Sequence, residues 1–330
     1  MLKKAIEKLI DGRDLSHEEC EGVIDEVIDK KNDSQMAAFL VLMRKDGETA
    51  EELYGIVKAM RKRMVPVSLN EPVLDIVGTG GDQSHSVNIS TGSCLLAASC
   101  GVKIAKHGNR ASSSKCGSAD VLEAMGLKIE LSPEKVVQAI DEIGIGFMFA
   151  PYYHPAFKEI AAVRKELGIR TLFNFIGPLL NPAKPPFHLL GVAKEELLDL
   201  LADVFLKLKT KRSILFHCQG MDELTPVGVC DVVEVTDGEK IRFELDPAKL
   251  GFKPCTKEDL EGGDPGINAK LLLEALGGKK GPIADTLILN AGMAIYVYGL
   301  AETIEEGIEK ARKAQLEGKA LEIIEKWKTY

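Results

Sequence analysis

The chain has 330 residues, 45% of them hydrophobic and 28% charged, with a formal net charge of −8 at pH 7. This globular composition supplies enough apolar material for one large domain or two. The negative charge argues against a nucleic-acid partner, because domains that bind nucleic acid are usually basic. No apolar stretch is long enough to span a bilayer, so no membrane partner is expected.

The seven cysteines are scattered, and no Cys-x-x-Cys spacing occurs among them. Neither a zinc site nor a redox pair is therefore expected. Met1-Leu2 is followed by two lysines and an amphipathic pattern without an apolar signal region. These features predict a reduced, cytoplasmic protein.

The first 65 residues have a helical pattern throughout. A segment with two prolines, 65–72, follows and is the best candidate for a linker. Apolar positions recur at helical spacing in 2–10, 17–28, 34–44 and 49–60.

From Val73 onward the pattern changes to alternating strands and helices, which favours a mostly parallel sheet covered on both faces. A hairpin over 231–245 turns at Asp237-Gly238, and the chain from 265 is helical. Strands are predicted at 73–77, 102–105, 146–150, 188–192 and 213–217, and helices at 92–100, 119–125, 133–142 and 194–208.

Two of these strands run into loops rich in glycine and hydroxyl groups. The first loop reads Gly78-Thr79-Gly80-Gly81-Asp82. A dinucleotide-binding fingerprint needs glycine at position 83, where this chain has Gln83, and no P-loop lysine is present. Three glycines in four residues let the backbone approach a ligand closely, which favours a phosphate cradle over an unusual turn.

The segments on either side of the next strand extend this pattern. Asn88-Ile89-Ser90-Thr91-Gly92 opens an apolar helix, and its polar residues serve equally as a helix cap or an anion site. Lys106-His107-Gly108-Asn109-Arg110 offers two cations around a glycine, as a phosphate site or a polar surface turn. Ser118 is predicted to cap the following helix and to donate to phosphate.

Asp222 and Glu223 follow the strand at 213–217. Adjacent acids are common at protein surfaces, and that interpretation stays open. Their position after a strand of the same sheet favours a second one, in which they hold Mg²⁺ for a polyanionic ligand.

Arg164 lies on a helix after His154-Pro155, at the centre of an apolar face that includes Ile160 and Leu167. A buried arginine needs a partner. That partner is either an internal carboxylate or the carboxylate of a ligand, which a guanidinium grips with two hydrogen bonds.

The motifs together resemble those of the anthranilate phosphoribosyltransferases. The resemblance rests on Gly-Thr-Gly-Gly-Asp (78–82), Asn-Ile-Ser-Thr (88–91), Lys-His-Gly-Asn-Arg (106–110) and Gly-Ser-Ala-Asp (117–120). It continues through His154-Pro155, 163–171, 174–179 and Met221-Asp222-Glu223, and covers essentially the whole chain.

The resemblance implies an α/β fold with a small N-terminal helical domain, 1–65, and a larger α/β domain, 73–330, with a mostly parallel central sheet. Part of the small domain returns near 165–185. The implied reaction transfers phosphoribose from phosphoribosyl pyrophosphate to the amine of anthranilate, with Mg²⁺, in tryptophan biosynthesis. A homodimer is also implied, and apolar residues such as Ala37, Leu40, Val41 and Leu42 in the helical region support it.

The resemblance also implies site residues, none of which acts as a catalytic acid or base. Gly78, Asn109 and Arg164 contact anthranilate, and Ser90, Asp222 and Glu223 serve the metal. Phosphoribosyl pyrophosphate is assigned to Gly78, Gly81, Asp82, Ser86, Asn88, Ser90, Thr91, Lys106, His107, Gly108, Asn109, Arg110, Ala111, Ser112, Ser113, Ser114 and Ser118.

Three residues depart from the family pattern. Gln83 stands at a usual glycine, Val87 at a frequent phenylalanine, and Ser112 at a commonly apolar position. They affect the shape of two phosphate loops but remove no group that the chemistry needs. The alternatives are a pyrimidine nucleoside phosphorylase, which does not need the acidic pair, and a non-catalytic relative that binds nucleic acid, which the net charge disfavours.

Overall fold

The computed structural model describes residues 1–111 and 114–330. The chain begins with four helices, as predicted. Ser16 and Thr49 begin the second and fourth helices with capping boxes, in which Glu19 and Glu52 return the bond to the cap backbone. These helices are α1 (Leu2–Ile10), α2 (His17–Lys30), α3 (Asp33–Asp46) and α4 (Ala50–Lys62).

A seven-stranded sheet follows, with the strand order β3-β2-β1-β4-β5-β6-β7 among the described residues. The first five strands are parallel, and β6 and β7 form the predicted antiparallel hairpin. The strands are β1 (Leu74–Gly78), β2 (Ile104–Gly108), β3 (Ile145–Phe149), β4 (Phe187–Gly191), β5 (Arg212–Cys218), β6 (Cys230–Thr236) and β7 (Glu239–Leu245).

Further helices surround the sheet. The helix predicted at 92–100 begins three residues earlier, and the one predicted at 194–208 starts as a 3-10 turn, Glu195–Leu197. The α-helices are α5 (Ile89–Ser99), α6 (Ser118–Ala124), α7 (Pro133–Ile143), α8 (Ala150–Tyr153), α9 (Phe157–Leu167), α10 (Leu198–Leu208), α11 (Pro265–Leu276), α12 (Pro282–Tyr298), α13 (Ile304–Leu316) and α14 (Lys319–Trp327).

The sheet separates two large hydrophobic cores because successive strand residues point to opposite faces. Leu189 and Ile214 pack with α5 and α12, whereas Leu190 and Leu215 pack with α10 and the N-terminal helices. The predicted fold class, a small helical domain with a larger α/β domain and a mostly parallel sheet, is confirmed. No helix in the described ranges has the length and apolar character needed to cross a membrane.

One contact between cysteines was not expected from the sequence. Cys218 on β5 lies directly opposite Cys230 on β6, and their sulfur atoms are in contact. The spacing along the chain gave no sign of this pair, because the antiparallel register brings the two cysteines together.

Candidate active site

The predicted phosphate loops lie together at the carboxyl ends of the parallel strands. From β1 the chain adds β2 and β3 on one side and then crosses to β4 on the other. In open α/β sheets, loops on either side of such a point diverge and leave a crevice that binds ligands.

A cavity of about 660 Å³ opens at this crevice. Ser112 and Ser113, which the sequence assigns to the same ligand, lie outside the described residues. Every other predicted site residue lines the cavity: Gly78, Gly81, Asp82, Ser86, Asn88, Ser90, Thr91, Lys106, His107, Gly108, Asn109, Arg110, Ala111, Ser114, Ser118, Arg164, Asp222 and Glu223.

The loop after β1 depends on its glycines. Gly80 and Gly81 have φ angles of +75° and +86°, a backbone conformation that is strained for any residue with a side chain. A Cβ on Gly78 would run into the carboxylate of Asp222. The Gly80 N–H donates to Asp222 Oδ2 at 2.6 Å, so the loop lies directly against an acid 142 positions away in the sequence.

Asp222 and Glu223 are buried, with exposed fractions of 8% and 9%, so the surface interpretation of this pair is wrong. Burial, reinforced by the nearby Asp82 carboxylate, raises the pKa of Asp222 to about 8. Burial and the charge of Asp222 raise the pKa of Glu223 well above its ordinary value. Glu223 Oε1 also accepts from the Ser90 N–H at 3.0 Å. Such a desolvated pair favours a cation beside it.

These acids fit a divalent cation that an anionic ligand shares. Mg²⁺ prefers oxygen ligands and is commonly held by one or two carboxylates together with phosphate oxygens and water. Within the described ranges, no three His, Cys, Asp or Glu side chains are arranged to hold a metal by themselves. The buried Oδ2 of Asp82 has no hydrogen-bond partner among the residues that the structure describes. Asp222 and Glu223 can therefore hold Mg²⁺ with Ser90 beside them, provided that the ligand completes the shell.

Lys106 places a positive charge beside these acids. Its side chain is 2% exposed, and Nζ donates to the Ile76 carbonyl at 2.8 Å and to Ser90 Oγ at 3.5 Å. Burial raises the pKa of Asp75, on the neighbouring strand, to about 6, and the charge of Lys106 opposes that rise. A lysine at this depth needs acidic neighbours, and its charge in turn favours the ionised forms of Asp75 and Glu223.

Asn88 does not cap α5. Its side chain makes no capping hydrogen bond. Instead Nδ2 donates to the Cys116 carbonyl at 3.0 Å, and Oδ1 accepts from Asn268 Nδ2 at 2.8 Å. Asn88 thus ties the loop before α6 and the first turns of α11 to the start of α5, a role that only the tertiary contacts define.

Ser118 does not cap α6 either. It is the first residue of that helix, after Gly117, and its Oγ donates to the Asn109 carbonyl at 3.2 Å. The loop is held by Asp120, whose Oδ2 accepts from the N–H groups of Ala111 and Gly117 at 2.9 Å each. The sequence pattern identified the helix start but placed the cap one residue late.

Arg110 is held at the rim of the cavity. Its guanidinium contacts Asp120 at 3.1 Å and Glu123 at 3.0 Å, and lies 5.4 Å from the centre of the Phe149 ring. To reach a phosphate it has to leave these two carboxylates. Lys106 is therefore the better-placed cation in this arrangement.

Arg164 is half-buried, not at the centre of a packed face. The buried residues of α9 are Ile160 and Val163, while Ala161 and Arg164 face the cavity. The prediction that Arg164 lies at the centre of the apolar face was wrong because α9 packs on the N-terminal helices through the side that carries Ile160 and Val163. Arg164 makes no ion pair with the described residues, and its guanidinium lies 5.8 Å from the centre of the Phe173 ring. Burial lowers its pKa.

Two histidines in the cavity wall are neutral. Burial lowers the pKa of His107 to about 3 and that of His154 to about 4. Their ring centres are 5.0 Å apart, and the proximity of the two rings depresses the His107 pKa further. Neither can donate a proton as imidazolium near pH 7, so both are suited to positioning.

Sequence reasoning assigned no role to several residues of the cavity wall. Thr79, Ser84 and His85 lie within the glycine loop and the segment after it, and Lys158 lies on α9, nearly two turns before Arg164. Asn174 was quoted for the family resemblance without a function. Lys158 carried no signal because an exposed lysine on an amphipathic helix is ordinary.

Comparisons with known proteins identify the family. Residues 70–321 match the model of the glycosyl transferase family a/b domain, and residues 3–64 match that of its helical bundle domain. The anthranilate phosphoribosyltransferase of Chlamydia caviae is 48% identical over 331 residues, which is 100% of this chain and 96% of that protein.

Solved structures agree. The anthranilate phosphoribosyltransferase of Thermus thermophilus is 41% identical, with a TM-score of 0.93 over 98% of each chain. The Saccharomyces cerevisiae enzyme in complex with phosphoribosyl pyrophosphate and Mg is 28% identical, with a TM-score of 0.90 over 99% of this chain and 96% of that one. The chain therefore belongs to the anthranilate phosphoribosyltransferase family.

Proposed function

We propose that the cavity between β1 and β4 binds phosphoribosyl pyrophosphate and anthranilate and is the place where they react. As a member of this family, the chain is a pentosyl transferase of tryptophan biosynthesis. One observation carries the assignment: a desolvated acid pair lies against a glycine loop, and the same cavity holds an arginine without an internal carboxylate partner among the described residues. The family comparison favours this reaction over nucleoside phosphorolysis.

In the proposed arrangement, the phosphates lie on the backbone of the glycine loop and the start of α5, with Lys106 supplying charge. Asp222, Glu223 and Ser90 hold Mg²⁺, which, when bound, neutralises charge on the leaving pyrophosphate. Arg164 grips the carboxylate of anthranilate with its two-pronged guanidinium, while Gly78 and Asn109 border the ring.

The C1–O bond to pyrophosphate breaks as the C1–N bond to the amine forms, and the amine proton passes to solvent or pyrophosphate. The aromatic amine is already neutral near pH 7, so no strong base is required. This agrees with the lowered pKa of both His107 and His154. Catalysis then rests on positioning and on charge stabilisation.

Loss of anthranilate fluorescence tests the proposal. We expect the loss only when phosphoribosyl pyrophosphate and Mg²⁺ are both present, and EDTA should stop it. Turnover that EDTA leaves unchanged, or phosphate-dependent cleavage of a pyrimidine nucleoside without anthranilate turnover, would refute the assignment.

We also propose the domain division 1–65 and 73–330, with a segment near 165–185 returning to the helical domain. Supporting contacts are made by Leu172, Ile176 and Leu179, which share a hydrophobic core with α2, α3 and α4.

A homodimer through the helical region is part of the same proposal. Leu40 does not support it, because this side chain is buried in its own core with an exposed fraction of 1%. Val41 is 41% exposed, so its side chain is available for a contact with a second copy of the chain. We expect Val41→Asp to give a monomer by light scattering, and Val229→Asp, at a site 40% exposed, to leave a dimer. A wild-type monomer at micromolar concentration would contradict this proposal.

A further inference from the structure

A second cavity of about 630 Å³ borders the other side of the glycine loop. Thr79, Gly80 and Gly81 line both cavities. Arg44, Arg170 and Lys194 line the second cavity but not the first. The phosphate loop is therefore reached by side chains that do not face the substrate cavity.

Arg170 holds the loop from this second cavity. Its Nη2 donates to the Gly81 carbonyl at 2.9 Å. Gly81 has no side chain, and this leaves room for the Arg170 guanidinium, because a Cβ on residue 81 would collide with it. Arg44 of α3 donates in turn to the Arg170 carbonyl at 2.9 Å, so two hydrogen bonds connect the N-terminal helices with the loop.

The bond to the Gly81 carbonyl orients the next N–H group. The peptide between Gly81 and Asp82 is trans, so the Asp82 N–H points opposite to that carbonyl and away from Arg170. Within the described residues, neither the Gly81 N–H nor the Asp82 N–H donates to a protein acceptor. Successive free N–H groups in a turn form a cradle for an anion.

We propose that Arg170 is a positioning residue for the pyrophosphate group of phosphoribosyl pyrophosphate. It acts without touching the substrate, by holding the Gly81–Asp82 peptide so that its N–H faces the first cavity. The inference rests on the proposed function of that cavity. Without Arg170 the peptide is free to rotate, and the oriented donor is lost.

The test compares Arg170→Ala and Arg170→Lys with Arg13→Ala, a surface control whose arginine pairs with Asp11 at 2.9 Å. We expect Arg170→Ala to raise the KM for phosphoribosyl pyrophosphate about tenfold, the effect of one lost hydrogen bond. The KM for anthranilate should stay within about twofold, and the Tm should match that of the control. Arg170→Lys keeps a hydrogen-bond donor, so its KM for phosphoribosyl pyrophosphate should lie between those of Arg170→Ala and the Arg13→Ala control.

An unchanged KM for phosphoribosyl pyrophosphate in Arg170→Ala would overturn the proposal. So would an equal rise of both KM values together with a lowered Tm, because that pattern belongs to a purely structural residue. If the wild-type protein shows no turnover, the proposed function fails on its own account. Calorimetric binding of pyrophosphate then decides: binding about tenfold weaker in Arg170→Ala supports positioning, and equal binding refutes it.

Discussion

At the β6–β7 hairpin, Lys240 and Arg242 are exposed and paired, whereas in the cavity Asp222 and Glu223 are buried side by side. Arg242 contacts Asp199 at 2.9 Å, and Lys240 contacts Asp203 at 2.6 Å. In the cavity, burial raises the pKa of both Asp222 and Glu223, and the charge of Asp222 adds to the rise at Glu223. Charge density therefore does not mark a functional site in this fold, whereas desolvated charges of the same sign held side by side do.

The acid pair should show the largest effect. We expect Asp222→Asn combined with Glu223→Gln to lower kcat/KM by roughly 10² or more, since charge stabilisation through a metal is worth several kcal/mol. Tm should be unchanged or higher, because the change removes two carboxyls that burial disfavours. Steady-state kinetics at several Mg²⁺ concentrations and a thermal melt measure both quantities.

Glu234→Gln at the hairpin is the matched control. Glu234 is 8% exposed, as buried as Asp222, but it is paired with Arg212 at 2.5 Å. Its substitution should cost about 1–3 kcal/mol of stability and leave kcat/KM intact. Near-normal turnover of the cavity double variant at low Mg²⁺ would mean that the comparison fails.

Arg164→Ala should have the next largest effect. The lost charge-assisted contact is worth about 2–3 kcal/mol, which corresponds to a rise of roughly 30- to 150-fold in the KM for anthranilate. The KM for phosphoribosyl pyrophosphate should change much less, and lysine should rescue poorly because it cannot reproduce the two-pronged contact. Arg242→Ala, on the hairpin, should change neither KM. A lowered Tm with an unchanged KM for anthranilate would make Arg164 structural.

A buried histidine outside the cavity tests how burial, aided here by the charge of Arg61, makes the stability of the fold depend on pH. His188 on β4 packs its ring 4.7 Å from that of Phe205, and burial lowers its pKa to about 3. Because this folded pKa lies below the unfolded value, the stabilisation is complete above about pH 6.5 and is lost as the pH falls toward 3. At pH 5 the loss is about 2 kcal/mol. The free energy of unfolding, measured with urea, should therefore fall less between pH 7 and pH 5 in His188→Gln than in the wild-type protein. An equal fall in both proteins would exclude this origin.

The exposed pairs of the hairpin should show the smallest effect. Asp199→Asn breaks contacts to Arg242 and Lys240, all of them at the surface. The free energy of unfolding should fall by less than about 1 kcal/mol, and added salt should shrink the difference. A loss of activity in this variant would show that the hairpin belongs to the functional site.

Much of the architecture was predictable because local patterns and the tertiary structure agree. The helices before Val65 have apolar stripes and capping residues such as Ser16 and Thr49, and the hairpin turns at Asp237-Gly238 as predicted. The cavity residues were predictable as a group, since loops after parallel strands meet at one edge of the sheet.

Other features were not predictable because they depend on contacts distant in sequence. Cys218 meets Cys230 only through the register of β5 and β6. Asn88 bonds to Cys116 and Asn268, so its cap-like position was misleading.

Residue type and spacing were enough to predict the alternation of strands and helices, the glycines of the phosphate loop and the two adjacent acids. These properties follow from residue type and spacing, which act over a few positions. Long-range packing, in contrast, buries the acids against Gly80, leaves Arg164 without a carboxylate partner among the described residues, and brings Arg170 to the Gly81 carbonyl from the second cavity. Desolvation and hydrogen-bond partners depend on everything that packs around a group, and in this fold those neighbours come from segments far apart along the chain.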